Sequence, residues 1–228
     1  MNREREKEVA AEAAVAQVQD GKLVGLGTGS TAAFALKALG RRVAQGLEVR
    51  AVPSSKWAEN LAREVGIPLL TFADVNRLDV TIDGTDEFDP GLSLIKGGGG
   101  ALFREKIVAA ASDKLWIIAD GSKRVPVLGK FPLPVEVNPF GWQVAARRIG
   151  EFCPQVRLRY TGAEQPFVSD NGAYILDCAF GSIPDPVGLE AKLRRIVGVM
   201  ETGLFVGLAE TIFLADGERV HTFKRSQG

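Results

Sequence analysis

Histidine is almost absent from this sequence, since His221 is the only one in 228 residues. Zinc sites that need several histidines, including the HExxH type, therefore cannot be built from this chain. A Ser-His-Asp triad would have to use His221, but this residue lies in an alternating strand pattern near the C-terminus, and the sequence contains no nucleophile-elbow motif. We expect His221 to lie exposed or on an edge strand. Catalysis must then depend on carboxylates and lysines.

The sequence also has only two cysteines, no long apolar run and no net charge. Cys153 and Cys178 form no CxxC motif and no disulfide framework. No apolar run reaches the ~18 residues of a membrane span, and residues 1–8 are too charged for a signal peptide. The 28 basic and 28 acidic residues leave no net charge, which argues against a nucleic-acid partner. We therefore expect a cytoplasmic protein that binds neither membranes nor nucleic acids.

Strands alternate with helices along the first half of the sequence. The apolar patterns predict helices over residues 3–19, 32–39, 56–65 and 101–111, and strands over 23–26, 47–52, 67–70, 79–82, 92–95 and 115–119. This order predicts the α/β class, with a mostly parallel sheet covered by helices on both faces. Four prolines within residues 125–140 break the pattern. We therefore expect one domain formed by residues 1–126 and 200–228, and a smaller α+β domain formed by residues 127–199.

A loop rich in glycine and hydroxyl side chains, Gly27-Thr28-Gly29-Ser30-Thr31, lies between a predicted strand and a predicted helix. Amide and hydroxyl donors at a helix N-terminus favour an anion such as phosphate, and Ser or Thr is also a preferred N-cap. The loop also matches the dinucleotide fingerprint G-x-G-x-x-A, which calls for an acidic residue at the end of the next strand. Glu48 has about the right spacing but lies at the start of that strand, which ends in Pro53-Ser54-Ser55. A monophosphate is therefore a better ligand than a nicotinamide cofactor.

Lys96 precedes four consecutive glycines, and a predicted helix that carries Glu105 follows directly. Glycine occurs where a backbone bends tightly or approaches a ligand closely, and a helix start leaves N–H groups that can face the ligand. A flexible linker is disfavoured because Leu94-Ile95 and Ala101-Leu102-Phe103 flank the glycines. This loop, like those after residues 26 and 82, follows a predicted strand. We expect all three loops to meet at one crevice beyond the carboxyl ends of the strands.

Four acidic residues, Asp83, Asp86, Glu87 and Asp89, follow the strand over residues 79–82. Clustered carboxylates can bind magnesium or calcium, but their spacing does not match the calcium-loop pattern. Helix capping or an Asx turn would explain one aspartate but not four acids this close together. Beside a lysine and a phosphate site, such carboxylates suit proton transfer between neighbouring carbons of a sugar phosphate.

The segments GLGTGST, DGTDEFD, IKGGGGALFREK, ADGSK and LGKFPLPVEV, in this order and spacing, resemble the ribose-5-phosphate isomerase A family. The resemblance covers nearly the whole chain and implies interconversion of ribose 5-phosphate and ribulose 5-phosphate through an enediolate, with no metal and no other cofactor. It implies that Glu105 is the catalytic base and that Asp83, Asp86 and Lys96 are the other catalytic residues. The substrate-binding residues that it implies are Thr28, Gly29, Ser30, Thr31, Asp83, Gly84, Thr85, Asp86, Lys96, Gly97, Gly98, Gly99 and Lys123.

The resemblance also implies a Rossmann-like domain with a smaller α+β domain, in a homodimer or a dimer of dimers. Lys7 lies where the family has a basic residue. The sequence departs from the family at two positions: Thr85 stands where a small residue such as alanine is common, and Gly100 adds a fourth glycine. Both departures are mild, because neither affects a charged residue with an implied role. A non-catalytic sugar-phosphate sensor would need a DNA-binding segment, and the sequence shows no helix-turn-helix pattern. A nucleotide-dependent dehydrogenase is weakened by the missing acid, and a cofactor titration would test it.

Overall fold

The computed structural model describes residues 3–162 and 164–225. Within them the α-helices are α1 (Arg3–Val15), α2 (Ser30–Ala44), α3 (Lys56–Glu64), α4 (Leu102–Ala110), α5 (Trp142–Gly150) and α6 (Pro186–Arg194). The strands are β1 (Lys22–Leu26), β2 (Val49–Pro53), β3 (Val80–Asp83), β4 (Glu87–Phe88), β5 (Leu94–Ile95), β6 (Leu115–Asp120), β7 (Leu133–Val137), β8 (Gln155–Leu158), β9 (Tyr160–Thr161), β10 (Gln165–Pro166), β11 (Tyr174–Ala179), β12 (Val199–Thr202), β13 (Leu204–Phe205), β14 (Ala209–Asp216) and β15 (Arg219–Lys224). None of these helices is long and apolar enough to cross a membrane.

By internal contacts the chain divides into two compact units. The first contains Met1–Thr85, Arg104–Lys123 and Leu208–Gly228, and the second contains Asp86–Phe103 and Arg124–Gly207. This division places residues 86–103 in the second unit. The domain boundaries expected from the sequence stay predictions.

The first unit is built on a six-stranded sheet with the order β15-β14-β6-β3-β1-β2. The strands from β14 to β2 are parallel, and β15 runs antiparallel at the edge. His221 is exposed on this edge strand, as its alternating pattern predicts. β1 pairs with β2 on one side and with β3 on the other. From β1 the chain first adds β2 on one side of this strand and then adds β3 on its other side. The position between β1 and β3 is therefore a topological switch point, where α/β sheets bind ligands.

Helices cover both faces of this sheet. Val24 and Leu26 of β1 pack in one apolar cluster with residues of α1 and α2. Gly25 lies between them and faces the opposite side, where an added Cβ would lie 2.6 Å from Val108 Cγ1 of α4. The absence of a side chain at Gly25 lets α4 approach the sheet closely. The predicted α/β class, with a mostly parallel sheet and helices on both faces, is confirmed.

The second unit contains a four-stranded antiparallel sheet, with the order β12-β7-β11-β8, and a three-stranded sheet, with the order β13-β5-β4. Buried residues of β7 and β11 form its core together with residues of α5 and α6. Cys153 and Cys178 are both buried in this core, which fits structural thiols. Antiparallel strands with packed helices are the arrangement expected of an α+β module.

The first helix is shorter than predicted, because α1 ends at Val15 rather than at residue 19. The guanidinium of Arg42 in α2 donates hydrogen bonds to the carbonyl oxygens of Val15 and Val18. Because these two carbonyl oxygens accept hydrogen bonds from Arg42, they need no further helical turn to supply donors.

Two predicted strands also differ from the observed ones. The segment 67–70 forms only an isolated bridge between Leu69 and Ala51, because Pro68 has no N–H with which to continue a ladder. β5 covers two residues and pairs with β4 and β13 of the second unit. The loop that begins at Lys96 therefore does not follow a strand of the six-stranded sheet, and that part of the crevice argument is wrong.

Candidate active site

Loops of the first unit lie together at the carboxyl edge of the six-stranded sheet. They follow β1, β2, β3 and β6, which are parallel to their neighbours in the sheet. They carry Gly27–Thr31, Ser54-Ser55, Asp83–Thr85 and Lys123, respectively. Sequence reasoning included three of these loops among the candidate site residues and missed the two serines.

The Thr28 hydroxyl is held by the loop that follows β2. Its Oγ1 lies 2.8 Å from the Ser54 hydroxyl and donates a hydrogen bond of 2.8 Å to the Ser55 hydroxyl. Both serines are buried, and Ser55 is also the N-cap of α3. A dinucleotide site would need an acid at the end of β2, where these serines stand. Glu48 is exposed and precedes β2, so the structure agrees with the prediction that it lies at the wrong end of the strand.

The N-terminus of α2 is capped by Gly29, not by a serine or threonine as we expected. Gly29 has a φ of 110°, which glycine adopts readily, and no side chain caps the first turn. The Lys7 ammonium of α1 donates hydrogen bonds to the Ser30 hydroxyl at 3.1 Å and to the Glu4 carboxylate at 2.6 Å. A helix N-terminus with a cation beside it is an arrangement that favours anions.

Asp83 connects the loops that follow β1 and β3. Its side chain is buried, and Oδ1 accepts hydrogen bonds from the N–H of Thr28 at 3.1 Å and of Gly84 at 2.7 Å. A Cβ at Gly27 would lie 2.6 Å from Asp83 Cα, so only glycine allows the two backbones to come this close. On the other side, a Cβ at Gly84 would lie 3.5 Å from Thr31 Cβ. The carboxylate therefore fixes the backbone at the switch point.

Glu105 lies in the first turn of α4, where its residue surface is only 4% exposed. The positive end of the helix dipole favours a carboxylate at this position. One turn later, Val108 packs against Val52 and Leu78 and holds the helix on the sheet. Glu105 thus stands on a rigid element, which a proton transfer with strict geometry requires.

Lys123 ends the short 3-10 turn that follows β6. Asp120, the buried last residue of β6, accepts hydrogen bonds from the N–H and the hydroxyl of Ser122. These bonds fix the turn that carries Lys123. Because β6 pairs with β3, the half-buried lysine lies at the same edge of the sheet as Asp83.

In the second unit, Asp86 binds the glycine run. Its N–H donates to the carbonyl oxygen of Ile95 at 2.8 Å, and its Oδ2 accepts a hydrogen bond of 2.7 Å from the N–H of Gly98. A Cβ at Gly98 would lie 2.6 Å from Asp86 Oδ1. One of the amide donors that we expected to face a ligand is therefore engaged by Asp86, while Gly98 and Gly99 are exposed.

Lys96 is buried, with 2% of its surface exposed. Its N–H donates a hydrogen bond of 2.9 Å to the carbonyl oxygen of Gly203, and its Nζ lies 5.4 Å from the centre of the Phe205 ring. The ring face attracts the cation and orients the side chain. The lysine is therefore held at the end of β5 by both its backbone and its side chain.

Like Asp83 and Asp86, the other two clustered acids accept hydrogen bonds from backbone N–H groups. Glu87 is buried and accepts hydrogen bonds of 2.8 and 2.6 Å from N–H groups within the segment 129–131. Asp89 accepts a hydrogen bond of 2.9 Å from the N–H of Ser93. Over residues 3–162 and 164–225, no group of three or more His, Cys, Asp or Glu residues is arranged to hold a metal ion. The metal-loop alternative therefore has no supporting ligand set in this part of the chain.

Comparison with known proteins places this chain in one family. The family model described as ribose 5-phosphate isomerase A (phosphoriboisomerase A) matches residues 50–219. A protein named ribose-5-phosphate isomerase A from Parvibaculum lavamentivorans is 51% identical over 215 residues, covering 92% of this chain and 93% of the relative. A protein of the same name from Gloeobacter violaceus is 54% identical over 212 residues, covering 92% of each chain.

Solved structures agree over nearly the full length. A D-ribose-5-phosphate isomerase in complex with phospho-erythronic acid superposes with a TM-score of 0.95 at 37% identity, covering 99% of this chain and 100% of that one. The ribose 5-phosphate isomerase from Plasmodium falciparum gives a TM-score of 0.92 at 34% identity, covering 97% and 98%. The chain therefore belongs to the ribose 5-phosphate isomerase A family.

Proposed function

We propose that this protein interconverts D-ribose 5-phosphate and D-ribulose 5-phosphate through an enediolate, as a step of the non-oxidative pentose phosphate pathway. Membership of the family supports the reaction. The observation that carries the proposal is the hydrogen bond from the Thr28 N–H to the Asp83 carboxylate at the switch point of the parallel sheet. A similar isomerase of known structure is in complex with phospho-erythronic acid, whose planar carboxylate resembles an enediolate.

The phosphate group is assigned to the loop between β1 and α2. The first turn of α2, which no side chain caps, offers backbone donors, and Ser30 and Thr31 add hydroxyl groups. Lys7 brings an ammonium group to the Ser30 hydroxyl. Lys123, at the same edge of the sheet, is assigned as a further contact to the anionic substrate.

Glu105 is assigned as the base that moves a proton between C2 and C1. A buried carboxylate on a packed helix has the rigidity that the transfer needs, and the reaction requires no other reagent than this proton. Removing the C2 proton of the open-chain aldose gives an enediolate. The hydroxyl proton then moves from O2 to O1, and returning the first proton to C1 gives the ketose.

The remaining charged residues are assigned to the sugar oxygens. Asp83 or Asp86 assists opening of the furanose ring by accepting or returning a hydroxyl proton. Lys96 and the amides of Gly97–Gly99 stabilise the enediolate oxygen, and a donor of this kind contributes ~3 kcal/mol to the transition state. Because Asp86 engages the Gly98 amide, we assign the larger share of this stabilisation to the ammonium of Lys96.

The proposed reaction needs no metal and no nucleotide. Proton transfer and electrostatic stabilisation are both provided by side chains of the chain itself. The serines at the end of β2 bind Thr28, which favours a monophosphate over a dinucleotide at this loop.

We assign the protein to the cytoplasm as a homodimer or a dimer of dimers. The support for this assignment is the resemblance to the ribose-5-phosphate isomerase A family. Light scattering on the purified protein would measure the mass, and a monomer at all concentrations would contradict this assignment.

The experiment that tests the proposed function is the conversion of ribose 5-phosphate to ribulose 5-phosphate in excess chelator. Wild type is compared with Glu105→Gln and with Glu64→Gln, a matched control at an exposed position of α3. We expect full activity from wild type and control, and a loss of ~10²–10⁴-fold in kcat for Glu105→Gln, as for removal of a general base. Binding of ribose 5-phosphate to Glu105→Gln, measured by calorimetry, should be retained.

Each other outcome has a definite meaning. Near-normal turnover by Glu105→Gln would remove the proton-transfer assignment. Loss of wild-type activity on chelation would revive a metal in the mechanism. No isomerisation under any condition would favour the non-catalytic sugar-phosphate sensor.

A further inference from the structure

The side chain of Arg159 links the four-stranded sheet to the glycine run within the second unit. It follows β8 directly and lies on the same side of the strand as Arg157, because alternate residues of a strand share one face. Val156 and Leu158 point the other way, into the core. The N–H of Arg159 donates to the carbonyl oxygen of Ile175 in β11 at 2.8 Å, which fixes its backbone.

The guanidinium divides its donors between two acceptor groups. Its Nε and Nη2 donate to both oxygens of Asp177, a residue of β11 that pairs with Arg157. Its Nη1 donates to the carbonyl oxygen of Gly97 at 2.9 Å and to that of Gly98 at 3.1 Å. The planar guanidinium group can make these four bonds at once, whereas an ammonium group has three donors and no fork.

Phe167 supports the same loop from the side of Gly100. A Cβ at Gly100 would lie 2.3 Å from Phe167 Cζ, and the φ of 80° at this residue also requires glycine. Arg159 Cζ lies 5.8 Å from the Phe167 ring, and the Phe167 N–H donates to the Arg159 carbonyl oxygen at 2.9 Å. The fourth glycine thus accommodates the aromatic ring.

We propose that Arg159 is a positioning residue of the isomerisation, which holds the backbone of Gly97 and Gly98 so that Lys96 and the loop amides keep their orientation toward the sugar. The carbonyl groups of the loop are engaged by Arg159, and the Gly98 N–H is engaged by Asp86. The loop is therefore restrained at both kinds of backbone group. This inference rests on the proposed role of residues 96–99 in stabilising the enediolate.

The test compares Arg159→Ala, Arg159→Lys and Asp177→Asn with Arg157→Ala, an exposed arginine on the same face. Arg159→Ala should lower kcat by about 10- to 100-fold, as a small displacement of a reacting group does. KM for ribose 5-phosphate should change less than about threefold, because the phosphate contacts lie elsewhere on the chain. Arg159→Lys should lose nearly as much, since it keeps the charge but not the fork. Arg157→Ala should match wild type.

Chemical rescue separates positioning from a general loss of stability. Guanidinium ion at about 10 mM, far below denaturing concentrations, should raise kcat of Arg159→Ala several-fold and leave Arg157→Ala unchanged. Circular dichroism verifies that each variant is folded at the assay temperature. If Arg159→Ala does not fold, Arg159→Lys and Asp177→Asn carry the same prediction for kcat.

The outcomes also distinguish this inference from the proposed function. If the Arg159 variants keep the wild-type kcat while Lys96→Ala is inactive, the positioning role of Arg159 is overturned and the role of the loop is retained. An active Lys96→Ala would instead remove the role of the loop on which the inference depends. A loss confined to KM in the Arg159 variants would likewise contradict positioning of transition-state donors.

Discussion

Replacing Asp83 by alanine should destabilise the first unit, whereas replacing it by asparagine should leave the fold nearly unchanged. The carboxylate accepts hydrogen bonds from the N–H groups of Thr28 and Gly84. Alanine leaves both donors without this acceptor, and a buried donor that loses its partner costs ~1–3 kcal/mol. The expected loss in the free energy of unfolding, summed over the two donors, is therefore about 2–6 kcal/mol. Asparagine keeps an oxygen in place and loses only the ionic part of the two bonds, about 1 kcal/mol.

Urea unfolding, followed by tryptophan fluorescence and circular dichroism, measures this difference between the two variants. The slope of the free energy with urea should be the same for both, so that the midpoint alone reports the change. Equal midpoints for Asp83→Ala and Asp83→Asn would refute the view that this carboxylate holds the two loops together. If Asp83→Asn is stable but inactive, the reaction needs the ionisable carboxylate and not only its hydrogen bonds.

Two further predictions concern other carboxylates. Gly98→Ala should fold normally but lower kcat, because its Cβ would lie 2.6 Å from Asp86 Oδ1 and displace that side chain. The control Gly150→Ala, whose Cβ would have no atom within 4 Å, should be fully active. Equal kcat values for the two variants would contradict this prediction. Burial alone would raise the pKa of Asp79, but hydrogen bonds from Lys22 and a backbone N–H lower it. Its contribution to stability is thus present above the unfolded pKa of about 4 and is lost as the pH falls below it. The stability difference between wild type and Asp79→Asn should therefore shrink between pH 7 and pH 3, and a constant difference in urea midpoint would contradict the assignment.

The sequence predicted the loops of the first unit well, because parallel strands end at one edge of a sheet. Thr28 and Asp83 each follow a buried strand, and the structure joins them by a hydrogen bond. Ser54 and Ser55 were missed as partners of Thr28, since they resemble an ordinary strand end. Only the sheet order, which puts β2 beside β1, makes them neighbours of that loop.

Local charge and glycine content predicted less in the second unit. Glu87 lies among clustered acids, but its carboxylate binds N–H groups 42 and 44 residues further along the chain. Arg159 lies 61 and 62 residues from the carbonyl groups that it binds. Contacts of this range arise from strand pairing and leave no local pattern, so neither role could be predicted from spacing.

The central claim is that Glu105 moves a proton between C2 and C1, and its most direct test is isomerisation in D2O with chelator present. Proton transfer through a carboxylate predicts deuterium at C1 of ribulose 5-phosphate, and at C2 of ribose 5-phosphate after the reverse reaction, because the acid exchanges with solvent. Glu105→Gln should give neither product nor exchange. Isomerisation or exchange that persists in Glu105→Gln would contradict the account.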